Sequence, residues 1–216
     1  MKRKDAGPDG PGSKARRRAP LAGPPRVSLG GSACVKRMAG AAGAWSFDEV
    51  HGAVAGDLRV LKVRMFGREC DQPRRVAYYG DRSYGYSGTV MPPAPFPGII
   101  REIRDAAEAL AGLAPGSLNG CLVNLYRGRG DHVSWHSDNE RGVCQRCIVS
   151  VSFGASRRFD LREKAKDGPW YQWELCDGDV LVMESAQELH EHRVPPGNRQ
   201  TSDDPRLNLT FRKVGA

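Results

Sequence analysis

Seven residues near the C-terminus, Arg206-Leu207-Asn208-Leu209-Thr210-Phe211-Arg212, alternate strictly between polar and apolar side chains. In a strand that alternation puts Leu207, Leu209 and Phe211 on one face, and Arg206, Asn208, Thr210 and Arg212 on the other. The apolar face must be covered by another layer. The polar face either meets water, where the arginines need nothing more, or lines an interior. Inside a protein, two guanidinium groups demand anionic partners, because an unpaired buried charge is strongly destabilising. A planar carboxylate matches the guanidinium fork.

Strand-like segments of similar length recur upstream, at 121–126, 147–153, 158–162, 171–175, 179–183 and 192–194, and the last run extends over 206–213. Many short strands at close spacing predict an antiparallel sandwich or barrel. A further β-rich stretch covers 58–79, interrupted around 67–73. Two helices flank these strands. Ser46 and Glu49 fit a capping box for a short one. The second is expected over 98–113, just after Pro97, with Ile99, Ile103 and Leu110 on one face and Ile100 beside them. Arg101, Glu102, Arg104 and Glu108 supply its polar side. The expected class is therefore mainly β with flanking helices.

Residues 1–44 are rich in Gly, Pro, Ala and basic residues and show no apolar periodicity, which predicts a disordered basic tail. Its two clusters, Lys2-Arg3-Lys4 and Lys14-Ala15-Arg16-Arg17-Arg18, suit a bipartite nuclear-import signal, a phosphate-gripping arm or a solubilising tail. The formal net charge of +8 favours a polyanionic partner such as nucleic acid. No apolar run is long enough to span a membrane, and the first thirty residues lack a secretory apolar region. The six cysteines are expected as reduced thiols; Cys144 and Cys147 form a CxxC with no second pair at zinc-finger spacing.

His136 and Asp138 are two apart, so extended chain points both to one side. With His192 they can complete a facial set of two imidazoles and one carboxylate, the donor set of non-haem Fe(II) oxygenases, which leaves positions open for a cosubstrate and dioxygen. His190, two residues before His192, is a rival ligand, while His51 and His132 suit surface or core positions. Asn124 and Tyr126 also share a strand face and suit an oxygen-rich ligand. A small dicarboxylic acid that chelates iron would satisfy these residues and the arginines together; 2-oxoglutarate is such a molecule.

Taken in order, Asn124-Leu125-Tyr126, His136-x-Asp138, His192-Arg193-Val194-Pro195 and Arg206-x-Asn208-Leu209-Thr210-Phe211-Arg212 resemble the motifs of the AlkB-type dioxygenases, nearest their eukaryotic nucleic-acid dealkylase branch. The resemblance covers roughly 58–214. It implies a double-stranded β-helix (jelly roll) core over 119–214 within a dioxygenase domain spanning 45–216, with an N-terminal nucleotide-recognition lid over 58–95. It also implies Fe(II) on His136, Asp138 and His192, and 2-oxoglutarate on Asn124, Tyr126, Arg206 and Arg212, supported by Asn208 and Thr210. Dioxygen is the second cosubstrate. In the lid, Arg64-Met65-Phe66-Gly67 resembles a hairpin whose aromatic residue wedges into a duplex. Tyr79, Tyr84 and Tyr86 stand where the family's base pocket is lined, Arg74 where a basic residue contacts substrate, and Glu140 where an acidic residue approaches the flipped base. Asn139-Glu140 replaces the two acidic residues frequent in relatives, which leaves base preference open.

The implied activity is oxidative demethylation of N-alkylated bases such as 1-methyladenine and 3-methylcytosine in DNA, as alkylation-damage repair with release of formaldehyde. RNA, or both nucleic acids, is the alternative substrate. A catalytically silent nucleic-acid-binding module and a protein hydroxylase are the readings from other classes. A monomer in the nucleus, with the cytoplasm as second compartment, is expected.

Overall fold

The computed structural model describes residues 25–215 apart from 66–67, 87, 141 and 166. In chain order the elements are β1 (Arg26–Gly30), β2 (Ala33–Met38), α1 (Phe47–Val54), β3 (Lys62–Met65), β4 (Arg68–Asp71), β5 (Arg75–Gly80), β6 (Tyr84–Tyr86), β7 (Thr89–Met91), α2 (Gly98–Ala111), β8 (Gly120–Tyr126), β9 (Val133–His136), β10 (Cys147–Gly154), β11 (Arg157–Glu163), β12 (Trp170–Leu175), β13 (Val180–Glu184), β14 (His190–Val194) and β15 (Arg206–Arg212).

Eight of these strands, β8 to β15, build two facing four-stranded sets. The order β13-β10-β15-β8 lies in the larger sheet, and β12-β11-β14-β9 makes the smaller. The chain passes from one set to the other repeatedly, and the ladders within each are antiparallel. That winding is the expected double-stranded β-helix. The larger sheet is extended past β13 by β2 and β1, and past β8 by β5. Two separate hairpins, β3–β4 and β6–β7, complete the strands.

Strand parity sorts the core into two layers. Leu207, Leu209 and Phe211 of β15 face the helices, together with Val149, Val151 and Phe153 of β10 and Cys121, Val123 and Leu125 of β8. Ile100 and Ile103 of α2 and Val50 and Val54 of α1 close this layer. On the opposite face Tyr126, Ile148, Leu181 and Met183 pack against Phe159, Leu161, Trp173 and Val194 of the smaller sheet. Burying a side chain of this size contributes about 1.5–3 kcal/mol, so each layer is a major source of stability. The polar residues of β15 therefore face a protein interior and not water.

The local signals at the helix ends hold. Ser46 caps α1 with the reciprocal Glu49 bond present. Gly112 ends α2 in the left-handed conformation, φ 69°, which glycine adopts without Cβ strain. The face of α2 turns from the expected one: Ile100, Ile103, Ala107 and Glu108 are buried, and Leu110 is exposed. Glu108 was expected on the polar side, but its carboxylate accepts the N–H groups of Gly116 and Leu118 at 2.8 and 2.7 Å, which satisfies the loop leading to β8.

Two further expectations are corrected. Disorder was expected up to residue 44, yet β1 and β2 are ordered strands, with β2 paired to the β13 edge and Val27, Cys34 and Val35 buried. Arg37 adds an ion pair to Asp179 at 2.7 Å. These strands are short and set among glycines, so their apolar content is too small to register as periodicity; a neighbouring edge supplies the missing hydrogen bonds. The basic clusters of residues 2–18 lie outside the described residues. In addition, β4 forms inside the expected interruption at 67–73, as the return arm of a hairpin.

Candidate functional site

β9 and β14 are neighbours in the smaller sheet, and their register sets His136 directly opposite His192. The two ring centroids are 4.3 Å apart. Asp138 follows β9 at the two-residue step, and its carboxylate oxygens stand 3.8 Å from each imidazole Nε2. One donor atom from each of the three residues lies within 4.8 Å of the others, the one such cluster among the described residues. The Nδ1 of His136 is 2.8 Å from the Ser134 carbonyl, which can only accept. That contact makes Nδ1 the protonated nitrogen and leaves Nε2 free to ligate. His190 shares the inward face of β14 but stays outside the cluster, with both ring nitrogens unpartnered among the described residues.

Electrostatics keep Asp138 and His192 in ligating form. Burial alone would raise the Asp138 carboxyl, but Arg212, His192 and His136 hold it down to about 2. Burial, followed by the nearby His136, lowers His192 to about 3 against the pull of Asp138. A deprotonated carboxylate and neutral imidazoles form the set that a divalent cation requires.

Beside this cluster the polar faces of β8 and β15 meet in register, Asn124 opposite Asn208 and Tyr126 opposite Arg206. Asn208 donates to Ser150 Oγ at 2.7 Å and to the Val151 carbonyl at 3.0 Å, and its Oδ1 accepts from Thr210. Arg206 is fully buried. Its Nη2 donates to Ser152 Oγ at 2.8 Å, while Nε and Nη1 have no partner among the described residues. Its guanidinium lies 5.2 Å from the Tyr126 ring centroid, and that of Arg157 lies 5.4 Å from the same ring. A cation left with two orphaned donors inside a protein marks a place for an anion. At the other end of β15, Arg212 reaches Asp138 Oδ2 at 3.3 Å. His136, Asp138, His192, Asn124, Tyr126 and Arg212 all line one pocket.

A family model for the 2OG-Fe(II) oxygenase superfamily matches residues 55–212, which contain every residue of this pocket. The chain belongs to that superfamily, in its AlkB branch. Human alpha-ketoglutarate-dependent dioxygenase alkB homolog 3 is 39% identical over 155 residues, covering 66% of this chain and 52% of the human protein. The DNA oxidative demethylase ALKBH2 of Mus musculus is 35% identical over 166 residues, covering 72% of this chain and 67% of the mouse protein. The Arabidopsis thaliana ALKBH2 is 34% identical over 190 residues, 70% and 56% of the two chains. The chain thus spans about half the length of some of the relatives it matches. The solved structure of OsALKBH1 shares the fold, with a TM-score of 0.61 at 19% identity over 83% of this chain and 97% of that one.

The resident groups of this AlkB-type domain are Fe(II) and 2-oxoglutarate, with dioxygen as the second cosubstrate. Both groups fit what is present. Two imidazoles and a carboxylate suit Fe(II), and the orphaned N–H groups of Arg206 suit a carboxylate.

The residues expected to touch substrate divide. Glu140 lies near Asp138 and Tyr84, with Oε2 unpartnered among the described residues; burial first, then the Asp138 charge, raises its carboxyl. Arg74 was expected as a substrate-contacting cation. It is buried in the wall of the same pocket, with Nε donating to Asn124 Oδ1 at 2.8 Å. Tyr79 leaves the site altogether. It pairs with Cys121, one residue out of phase with the pocket-lining Leu122, so parity turns it into the helix-side core, where its hydroxyl donates to Asp57 at 2.7 Å. Tyr84 is buried against Tyr78 and offers no open ring face to a base. Phe66 and Gly67 lie outside the described residues, as does the Tyr86 side chain. One neighbour went unnoticed in the sequence: buried Gln187 accepts the Asp138 backbone N–H at 3.0 Å. A glutamine in a polar loop carries no signal of that role.

Proposed function

We propose that this chain is an oxidative demethylase of N-alkylated bases in DNA, of the 1-methyladenine and 3-methylcytosine type, acting in alkylation repair. The observation that carries the reading is the His136–Asp138–His192 cluster in a pocket also lined by Tyr126, against whose ring stands buried Arg206 with Nε and Nη1 unpartnered among the described residues. The relatives named as DNA oxidative demethylases and the net charge of +8 support a nucleic-acid substrate.

When bound, iron, 2-oxoglutarate and dioxygen supply the oxidation that hydroxylates an N-methyl carbon and leaves succinate and carbon dioxide; the hydroxymethyl base then releases formaldehyde. The chain's own residues do the rest. His136, Asp138 and His192 would hold the metal. Arg206, flanked by Tyr126, would take a carboxylate of 2-oxoglutarate, and Asn124, Asn208, Thr210 and Arg212 order the remaining polar wall. Burial of this wall excludes water from the reacting atoms and fixes their orientation. A base stacked in a duplex cannot reach such a centre and must be flipped or taken from single strand. The lid of residues 58–95 presents it: Phe66 serves as the wedge, Tyr86 lines the base pocket and Glu140 meets the base edge. The protein works as a monomer in the nucleus. Among the described residues no helix is long and apolar enough to cross a membrane.

The test is mass spectrometry of oligonucleotides carrying 1-methyladenine or 3-methylcytosine after incubation with iron and 2-oxoglutarate, as DNA and RNA, single and double strands side by side. Loss of the methyl mass from DNA that disappears in His136→Ala is the expected result. Turnover confined to RNA reassigns the substrate, and absence of turnover in all four leaves a silent binding module.

A further inference from the structure

Tyr84 stands on the first strand of the β6–β7 hairpin, outside both sheets of the β-helix, yet it is only 1% exposed. Its ring stacks on Tyr78 of β5, centroids 5.2 Å apart, within a small apolar cluster that includes Met91 of the same hairpin and Leu122 of β8. Its hydroxyl points at the site. Arg212 Nη1 donates to it, and the Arg212 guanidinium carbon lies 5.0 Å from the ring centroid. The Glu140 carboxylate lies near the same hydroxyl. Arg212 Nη1 thus uses a lone pair of the phenol oxygen, which still has its own proton to give.

Arg212 needs such a hold. It is 1% exposed, its Nε is unpartnered among the described residues, and its contact with Asp138 Oδ2, at 3.3 Å, is longer than a charge-assisted bond of about 2.7–2.9 Å. Asp138 by itself does not fix the direction of the guanidinium fork. The stacked and hydrogen-bonded Tyr84 does.

We infer that Tyr84 is a positioning residue: it orients Arg212 toward Asp138 and the cosubstrate, and so ties the seating of the β6–β7 hairpin to completion of the 2-oxoglutarate pocket. The inference rests on the proposed function. It differs from the base-lining role expected of this tyrosine, because the hydroxyl and one ring face are already engaged within the protein. Ordering of the hairpin and ordering of the cosubstrate wall then become one event.

The experiment compares the full chain with Tyr84→Phe, which keeps the ring stack and removes only the hydroxyl. Affinity for 2-oxoglutarate is measured by calorimetry on Mn(II)-loaded protein without oxygen. Separately, formaldehyde released per succinate formed is measured with iron and a methylated oligonucleotide. Tyr84→Phe should bind 2-oxoglutarate about tenfold more weakly, the scale of one hydrogen bond to a charged group. It should also yield less formaldehyde per succinate, since a loosened cosubstrate is consumed out of step with the base. Tyr84→His, which restores a hydrogen-bonding group, should recover part of both. Unchanged 2-oxoglutarate affinity with an unchanged product ratio overturns the inference, whether or not thermal stability falls. A wild-type protein that binds no 2-oxoglutarate overturns the functional reading itself, and the inference with it.

Discussion

His136 and His192 are register partners on adjacent antiparallel strands, so the backbone ladder of β9 and β14 itself sets their separation. Asp138 then needs only the two-residue step to arrive beside them. Because the sheet supplies this geometry, each ligand is expected to be replaceable without loss of fold. His192→Ala should abolish iron-dependent turnover. The same variant should keep a cooperative thermal transition, seen by circular dichroism, that no longer rises when Fe(II) is added without oxygen. A variant that still gains stability from iron would move the ligand role elsewhere, with His190 the nearest alternative.

The same burial gives the metal-free protein a defined pH response. His192 is lowered from 6.5 to about 3 in the folded state. Below about 6.5 the unfolded chain takes up a proton that the folded protein refuses, so acidification favours unfolding as pH falls from about 6.5 toward 3. Asp138 has the same sign at lower pH. Its carboxyl is depressed from 3.8 to about 2, so its contribution is present above 3.8 and is lost as pH falls toward 2. Urea midpoints measured with a chelator present should decline across the upper window, and His192→Phe should flatten that decline. An equal slope in the variant would mean that other groups carry it.

Arg206 offers a test in which stability and binding move in opposite directions. Its charge is buried with two donors unmatched among the described residues, a condition that costs stability unless an anion binds. Arg206→Met fills similar volume without the charge. The variant should melt at a higher temperature than the wild type when 2-oxoglutarate is absent and gain nothing when it is added. Removing one member of a buried charge pair costs about 2–5 kcal/mol, so the KM for 2-oxoglutarate should rise roughly thirtyfold or more. Thermal scans with and without 2-oxoglutarate check both halves.

How much of this was legible in the sequence follows from where each signal is stored. β15 could be read because one strand with two different neighbours must alternate, and the alternation of Arg206–Arg212 survives in the structure as apolar residues toward the helices and polar ones toward the pocket. The metal cluster was legible because two of its three members are joined by a two-residue step. Tyr79 was misplaced for the same kind of reason: its face depends on the register of β5 against β8, which no local pattern encodes. Glu108 turned inward to satisfy backbone groups of a loop eight and ten residues away. β1 and β2 owe their order to the β13 edge, a partner some 140 residues distant in sequence. Local chemistry was thus readable, whereas features fixed by distant pairing were not.

Gln187 belongs to the second kind and gives the last test. It is held in a tight connection between β13 and β14, entered through Ser185 with φ 49°, a left-handed conformation that non-glycine residues adopt at a cost of about 1–3 kcal/mol. The fold tolerates that strain because the turn places Gln187 against Asp138, with Oε1 accepting the backbone N–H at 3.0 Å and Nε2 resting 3.6 Å from Met183 Sδ. The bond fixes the backbone from which the metal-binding carboxylate projects. Loss of partners that orient ligands typically weakens metal affinity about 10- to 100-fold. Gln187→Leu, similar in size but without the acceptor, should therefore weaken Fe(II) binding by about that factor in a competitive chelator titration. It should also lower the free energy of unfolding by about 1–3 kcal/mol, because the buried Asp138 N–H is left unsatisfied. If Gln187→Leu loses stability yet binds iron as tightly as the wild type, the loop serves the fold alone and Asp138 is oriented by Arg212 and the β9 backbone without it.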